Sequence, residues 1–232
     1  MLRGMIRAGR FRPWHDRTGI LRWVLGAFLL TAPLGVWWLS GGVSIWRYGF
    51  SMPEGQVLYL SSKLAGLYTF VLLSVQILGA LGRAGWLPVN PVPRFSAKWH
   101  RRLGIMTILL MLLHVGLFVG AVSARMGHFA YSLLLPDFFG GHYKFMVSLG
   151  WLGGVLLLGV AVSGFVRTMR DRGDGVHRLA VPILVLVLIH AQQIGSEAGS
   201  GVLYYSFMAI GALVVGSLAV GMIHRLEQRK II

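Results

Sequence analysis

Four of the eight histidines, His100, His114, His177 and His190, stand at spacings that could do chemistry. The first two are 14 residues apart and the last two 13, which along a helix is about 21 and 20 Å at 1.5 Å per residue. Each pair begins at the edge of a long apolar run and ends inside it, where an ionisable side chain is costly and by default marks a function. On two parallel helices His100 would be level with His177, and His114 level with His190. Opposed neutral imidazoles supply what a six-coordinate b-type haem requires: one axial nitrogen on each face of the iron, with no covalent attachment. Two such pairs would stack two haems about 20 Å apart across a bilayer, a path for single electrons.

Other chemistries compete for the same residues. Each histidine could make only an interhelical hydrogen bond. A histidine-lined cation or proton pathway is disfavoured because all seven acidic residues fall outside the apolar runs. The absence of cysteine rules out disulfides, thiolate zinc, iron–sulfur clusters and CxxCH haem attachment. No phosphate-binding glycine loop or nucleophile elbow supports hydrolysis. One irregularity remains. Fourteen residues bring His114 to within about 40° of His100, whereas thirteen leave His190 about 140° from His177. Pro182, between the last two, is expected to kink that helix.

The elements that must carry these residues are legible in the composition. The chain has 232 residues, 56% hydrophobic and 12% charged, with a mean hydropathy of +0.70. That is far more apolar than a soluble domain. Apolar runs at about 23–40, 57–82, 100–123, 145–166, 178–194 and 202–223 predict an all-α integral membrane bundle of six transmembrane helices. Residues 1–22 and 224–232 are read as basic tails flanking a spanning region at 23–223, with no room for a folded soluble domain. The first run, with Trp23, Trp37 and Trp38 and no small-residue cleavage site, reads as an anchor rather than a removable signal.

Charge sets the expected orientation. The net charge is +15, and eighteen of the 22 Lys and Arg fall in the N-terminal tail, the second and fourth loops and the C-terminal tail. The opposite loops hold Arg47, Arg125 and Lys144. The positive-inside rule therefore places both termini in the cytoplasm, and explains the arginines without a nucleic-acid partner. Residues 83–99, with Pro88, Pro91 and Pro93, read as an extended link. The outer loop 124–143 carries Phe129, Tyr131, Phe138, Phe139 and Tyr143, an aromatic belt at the membrane surface or a cap over something beneath. The sequence shows no internal repeat.

Supporting groups follow from chemistry. Haem propionates need cationic partners. Arg101, Arg102 and Arg178 neighbour the inner histidines, and Lys63 lies within span two near its outer end, where it could meet an outer propionate or an anionic ferric chelate, or snorkel to the interface. Gln192 and Gln193 follow His190, and His128 and His142 fall in the outer loop, within reach of a substrate there. Gly150, Gly153, Gly154, Gly159 and Gly164 make span four smooth enough for a macrocycle or a neighbouring helix to approach.

Trp99-His100-Arg101-Arg102-Leu103-Gly104 followed by His114, and His177-Arg178-Leu179 followed by His190, resemble the ferric reductase-like transmembrane domain family. That family includes ferric reductases, NADPH oxidases and the haem subunit of bacterial methionine sulfoxide reductase. The resemblance covers roughly residues 57–223. It implies non-covalent b haems held between spans three and five, with His100 and His177 on the cytoplasmic-side haem and His114 and His190 on the outer one. It further implies a bacterial inner membrane location and electron transfer outward to a ferric complex or a periplasmic redox protein. The chain departs from the larger members in lacking a flavin or nicotinamide domain, so a separate flavoprotein or quinol is the expected donor. It also differs from the methionine sulfoxide reductase subunit, where an arginine stands at the position of His100. The alternative is a haem-bearing membrane anchor that exchanges electrons with quinone for a partner oxidoreductase.

Overall fold

In the computed structural model the described residues are 27–28, 30–83, 96–167, 179–194 and 201–229, and all regular structure among them is helical. His177, Arg178 and the N-terminal basic tail lie outside them. Residues 30–37 run helically into a π-turn at Trp38–Gly42 and a short helix α1 (Val43–Tyr48). The kink there has a local cause: Ser40 and Gly41 leave helical geometry, with Gly41 at φ 125°. The long helices are α2 (Gln56–Arg83), α3 (Ala97–Met126), α4 (His142–Arg167), α5 (Ala180–Ile194) and α6 (Gly201–Arg229). Among the described residues, four of them, all but α5, are long and apolar enough to cross a bilayer, which marks the chain as a membrane protein.

Several boundaries differ from expectation. Helix α4 begins at His142, so that residue opens a helix instead of lying in the outer loop, and α3 runs on to Met126. Helix α6 continues to Arg229, so much of the expected C-terminal tail is helical. Helix α5 is 15 residues, about 22 Å long. Pro182 sits in its first turn, where no amide donor is needed; it starts the helix and does not kink it.

Helix α2 is the centre of the molecule: 56% of its most apolar stretch is buried, against 17–22% in α3, α4 and α6. It packs along its length on α3, and α4 packs likewise on α5. Further contacts join α2 to α5 and α3 to α4, closing a four-helix ring in which α3 and α5 stand on a diagonal, while α6 covers α2 and α5 from outside. The core follows from that order. Leu67, Phe70, Leu73 and Leu78 of α2 meet Leu157 and Val160 of α4, Ile183 and Leu184 of α5, and Phe207 and Val214 of α6. Phe70 and Phe207 meet edge to face with centroids 4.8 Å apart. The segment before α2 docks on it through Trp37, whose indole N–H donates to the Leu60 carbonyl at 2.7 Å, and through Tyr68, whose hydroxyl donates to the Leu30 carbonyl.

One polar pair locks α2 to α3 inside the apolar layer: Gln76 Nε2 donates to Thr107 Oγ1 at 2.8 Å, and Thr107, 1% exposed, donates on to the Leu103 carbonyl. Replacing Gln76 by Leu is expected to cost about 0.6–1.7 kcal/mol, the range for interhelical hydrogen bonds in membranes. Reversible unfolding in mixed micelles reads this directly, and an unchanged midpoint would show that Thr107 is fully satisfied by its own helix.

Candidate functional site

His114 lies midway along α3, and its ring turns toward α2. Its Nδ1 is 2.8 Å from the Ser62 carbonyl oxygen and 3.0 Å from the Ser62 hydroxyl; the carbonyl can only accept, and the hydroxyl has its own proton on the His114 carbonyl, so a proton on Nδ1 is the form that satisfies all three groups. Ser62, 1% exposed, completes a second bond by donating its hydroxyl to the His114 carbonyl at 2.9 Å. The ring rests beside Gly66: a Cβ built there would fall 3.0 Å from His114 Nδ1. His190 on α5 has the same arrangement with α4. Its Nδ1 is 2.8 Å from the Met146 carbonyl, and a Cβ on Gly150 would fall 2.3–2.8 Å from three atoms of its ring. In both residues the proton on Nδ1 leaves the lone pair on Nε2, the state in which an imidazole binds a metal.

Depth follows from the neighbours. Met111 of α3 sits opposite Gly154 of α4, with a Cβ on Gly154 at 3.4 Å from its sulfur. The end of α3 and the start of α4 are tied to the same short loop, since Ser123 of α3 accepts from the Ala130 amide and Ser148 of α4 from the Asp137 amide. Three residues outward along α3 from Met111 is His114, and four residues back along the antiparallel α4 from Gly154 is Gly150, against which His190 lies. The two rings thus share a level to within about one residue's rise. Two imidazoles from diagonal helices, both with Nδ1 engaged by a carbonyl, leave two Nε2 donors at one level that could hold a metal-centred cofactor.

Around this pair the structure groups the expected Lys63 with Arg125 and with Tyr59 and Gln56, which the sequence did not single out. Lys63 Nζ and Arg125 Cζ lie 5.4 and 5.3 Å from the centre of the Tyr59 ring, about one turn outward of Ser62. Arg125 also donates to Gln56 Oε1. Lys63 is half-buried and Arg125 exposed, so the outer end of the α2–α3 hairpin carries two cations one turn outward of the Ser62 carbonyl that His114 binds. Gln192 is half-buried, with its Nε2 buried and without a hydrogen-bond partner among the described residues, whereas Gln193 is exposed.

The remaining expected residues are placed as follows. His100 is half-buried in the first turn of α3, a helix capped by Ser96, whose side chain accepts from the Trp99 amide. Its expected partner His177, and Arg178, lie outside the described residues. Arg101 is exposed, and Arg102 lies over Trp99 with its Cζ 5.3 Å from the ring centre. Among the described residues no three His, Asp or Glu converge as a metal cluster; an axial pair requires only two imidazoles. His128 and His142 are both exposed.

The outer loop is tied down by Ser123 and Ser148, which accept from the amides of Ala130 and Asp137. Phe129, Tyr131 and Phe139 point outward from it, as interfacial aromatics do. Of the glycines in α4, Gly150 admits an imidazole where a macrocycle or helix was expected, and Gly153 and Gly154 admit Val187 and Met111. Ser62 and Gly66, one turn apart on α2, left a faint signal in the sequence, a small-xxx-small pair. The Ser62 and Met146 carbonyls left none. Comparison with protein-family models, with curated proteins and with solved structures gives no match to this chain.

Proposed function

We propose that this chain is a six-span membrane protein, both termini cytoplasmic, that binds two b-type haems and carries single electrons from the cytoplasmic to the outer face. The observation that supports this most directly is the state of His114 and His190. They share a level on diagonal helices, and in each the Nδ1–H donates to a carbonyl of a neighbouring helix, which leaves the lone pair on Nε2. In this reading His114 and His190 hold the outer haem, and His100 with His177 the inner one, about 21 Å away. Bound there, the haem iron would supply reversible one-electron chemistry.

The chain's own residues do the rest. Ser62 and the Met146 carbonyl fix which ring nitrogen is bare. The two helix hairpins hold the imidazoles within one plane of the bilayer. Lys63 and Arg125, bracketing Tyr59 toward the outer surface, give that end a positive field suited to a propionate or to an anionic ferric acceptor. Arg101, Arg102 and Arg178 would serve the inner side. A cytosolic flavoprotein or quinol is the proposed donor, a ferric complex or periplasmic redox protein the proposed acceptor, and a bacterial inner membrane the proposed location.

A reduced-minus-oxidised absorption spectrum of the purified protein tests this reading. The expected result is a b-type α band at two haems per chain. In proteoliposomes, reductant on the cytoplasmic side alone should then reduce a ferric chelate on the other. Activity only with a co-purified subunit would favour the anchor role, and protein that stays colourless after porphyrin loading would overturn haem binding altogether.

A further inference from the structure

Although the sequence has no repeat, the geometry repeats once: Ser62, Gly66 and His114 in the α2–α3 hairpin correspond to Met146, Gly150 and His190 in the α4–α5 hairpin. In both, the histidine on the second helix bonds a carbonyl of the first, and the residue four places after that carbonyl is glycine. The spacing has a physical meaning. In an α-helix the carbonyl of residue i lies under the Cβ of residue i+4, and several side chains of this protein show it. Thr69 reaches the Ala65 carbonyl at 2.8 Å, Ser74 that of Phe70 at 2.8 Å, and Ser148 that of Lys144 at 2.8 Å. A side chain at i+4 therefore roofs the carbonyl at i, and glycine removes the roof.

We propose that Gly150 is a positioning residue that uncovers the Met146 carbonyl, and so selects the Nδ1–H form of His190 and aims its Nε2, while Gly66 only leaves room for the His114 ring that Ser62 already holds. The consequence for ligation rests on the haem reading above; the selection of the proton site does not. The two notches are unequal. A Cβ on Gly150 overlaps the His190 ring at 2.3, 2.4 and 2.8 Å, so the ring must leave. A Cβ on Gly66 meets His114 at 3.0–3.5 Å, which a few tenths of an ångström relieve, and the Ser62 hydroxyl bonded to the His114 carbonyl helps retain that contact.

The test uses the full chain, haem-free and labelled with 15N at histidine, in detergent. Nitrogen shifts separate Nδ1–H from Nε2–H rings, with signals assigned by His114→Ala and His190→Ala. In the wild type both rings should be Nδ1–H; Gly150→Ala should abolish that form for His190 alone, and Gly66→Ala should leave it at His114 with a perturbed shift. Stability gives a second readout that survives poor spectra. Gly150→Ala should lower Tm by about 5–10 °C, and most of that loss should vanish when it is combined with His190→Ala, because the overlap is with that ring. Gly154→Ala, which meets only Met111, is the neighbouring control.

An unchanged His190 signal in Gly150→Ala, an Nε2–H ring in the wild type, or an equal Tm loss with and without His190 would overturn the proposal. In haem-loaded protein Gly150→Ala should convert the outer low-spin haem to high spin. Should the wild type take up no haem, the haem reading fails, and the proton-site and Tm results still decide the role of Gly150.

Discussion

His114→Ala and His190→Ala should each lower haem content from two per chain to one, and the double variant should lose no more than either single one. This non-additivity is the mark of two ligands on one iron, because removing either leaves a single imidazole that no longer holds a non-covalent haem in the six-coordinate state. The expectation rests on the shared level of the rings and on the matched bonds to Ser62 and Met146. His177→Ala should remove the other haem and spare the outer one. The retained haem reports that the bundle is still folded, so loss of ligation and loss of structure are told apart in one sample. Pyridine haemochrome quantification and the low-spin visible bands are the measurements. If the two single variants each keep two haems, or if the double loses both where each single loses one, the proposed pairing is wrong.

Gly55→Ala should produce the largest loss of stability among conservative substitutions away from the histidines, about 2–4 kcal/mol. Gly55 closes the turn into α2 with φ +73°, a conformation that L side chains avoid, and an added Cβ would fall 2.2 Å from the Ala121 carbonyl oxygen of α3. Both obstacles are backbone, and neither can move without shifting a helix. The Tyr59 amide bonds the Gly55 carbonyl at 2.9 Å, so any adjustment displaces the outer turn of α2, including Gln56 and Tyr59 of the cationic cluster. Gly116→Ala is the matched comparison. A Cβ there meets nothing within 4 Å, and the change should be neutral or slightly stabilising through helix propensity. Equilibrium unfolding in mixed micelles compares the two, and equal midpoints would refute the role given to Gly55.

The chain's order in one dimension was enough to determine a good deal. Apolar runs placed four of the long helices to within a few residues, because a helix in lipid must be both long and apolar. The 14- and 13-residue spacings lead to the expectation that His114 and His190 share a depth, because rise per residue is a property of the backbone alone, although His177, from which the second spacing is counted, lies outside the described residues. What the sequence could not carry is which way each ring turns and what it meets. Main-chain carbonyls have no residue identity, so the Ser62 and Met146 oxygens that fix both proton sites are invisible in a string of letters. The same is true of the central place of α2, of the meeting of Lys63, Arg125 and Tyr59, and of the difference between Gly150, which admits a ring, and Gly116, which faces open space. Depth is a sum of local increments along one helix, whereas azimuth and partner depend on how separate helices pack, and only the tertiary structure decides that.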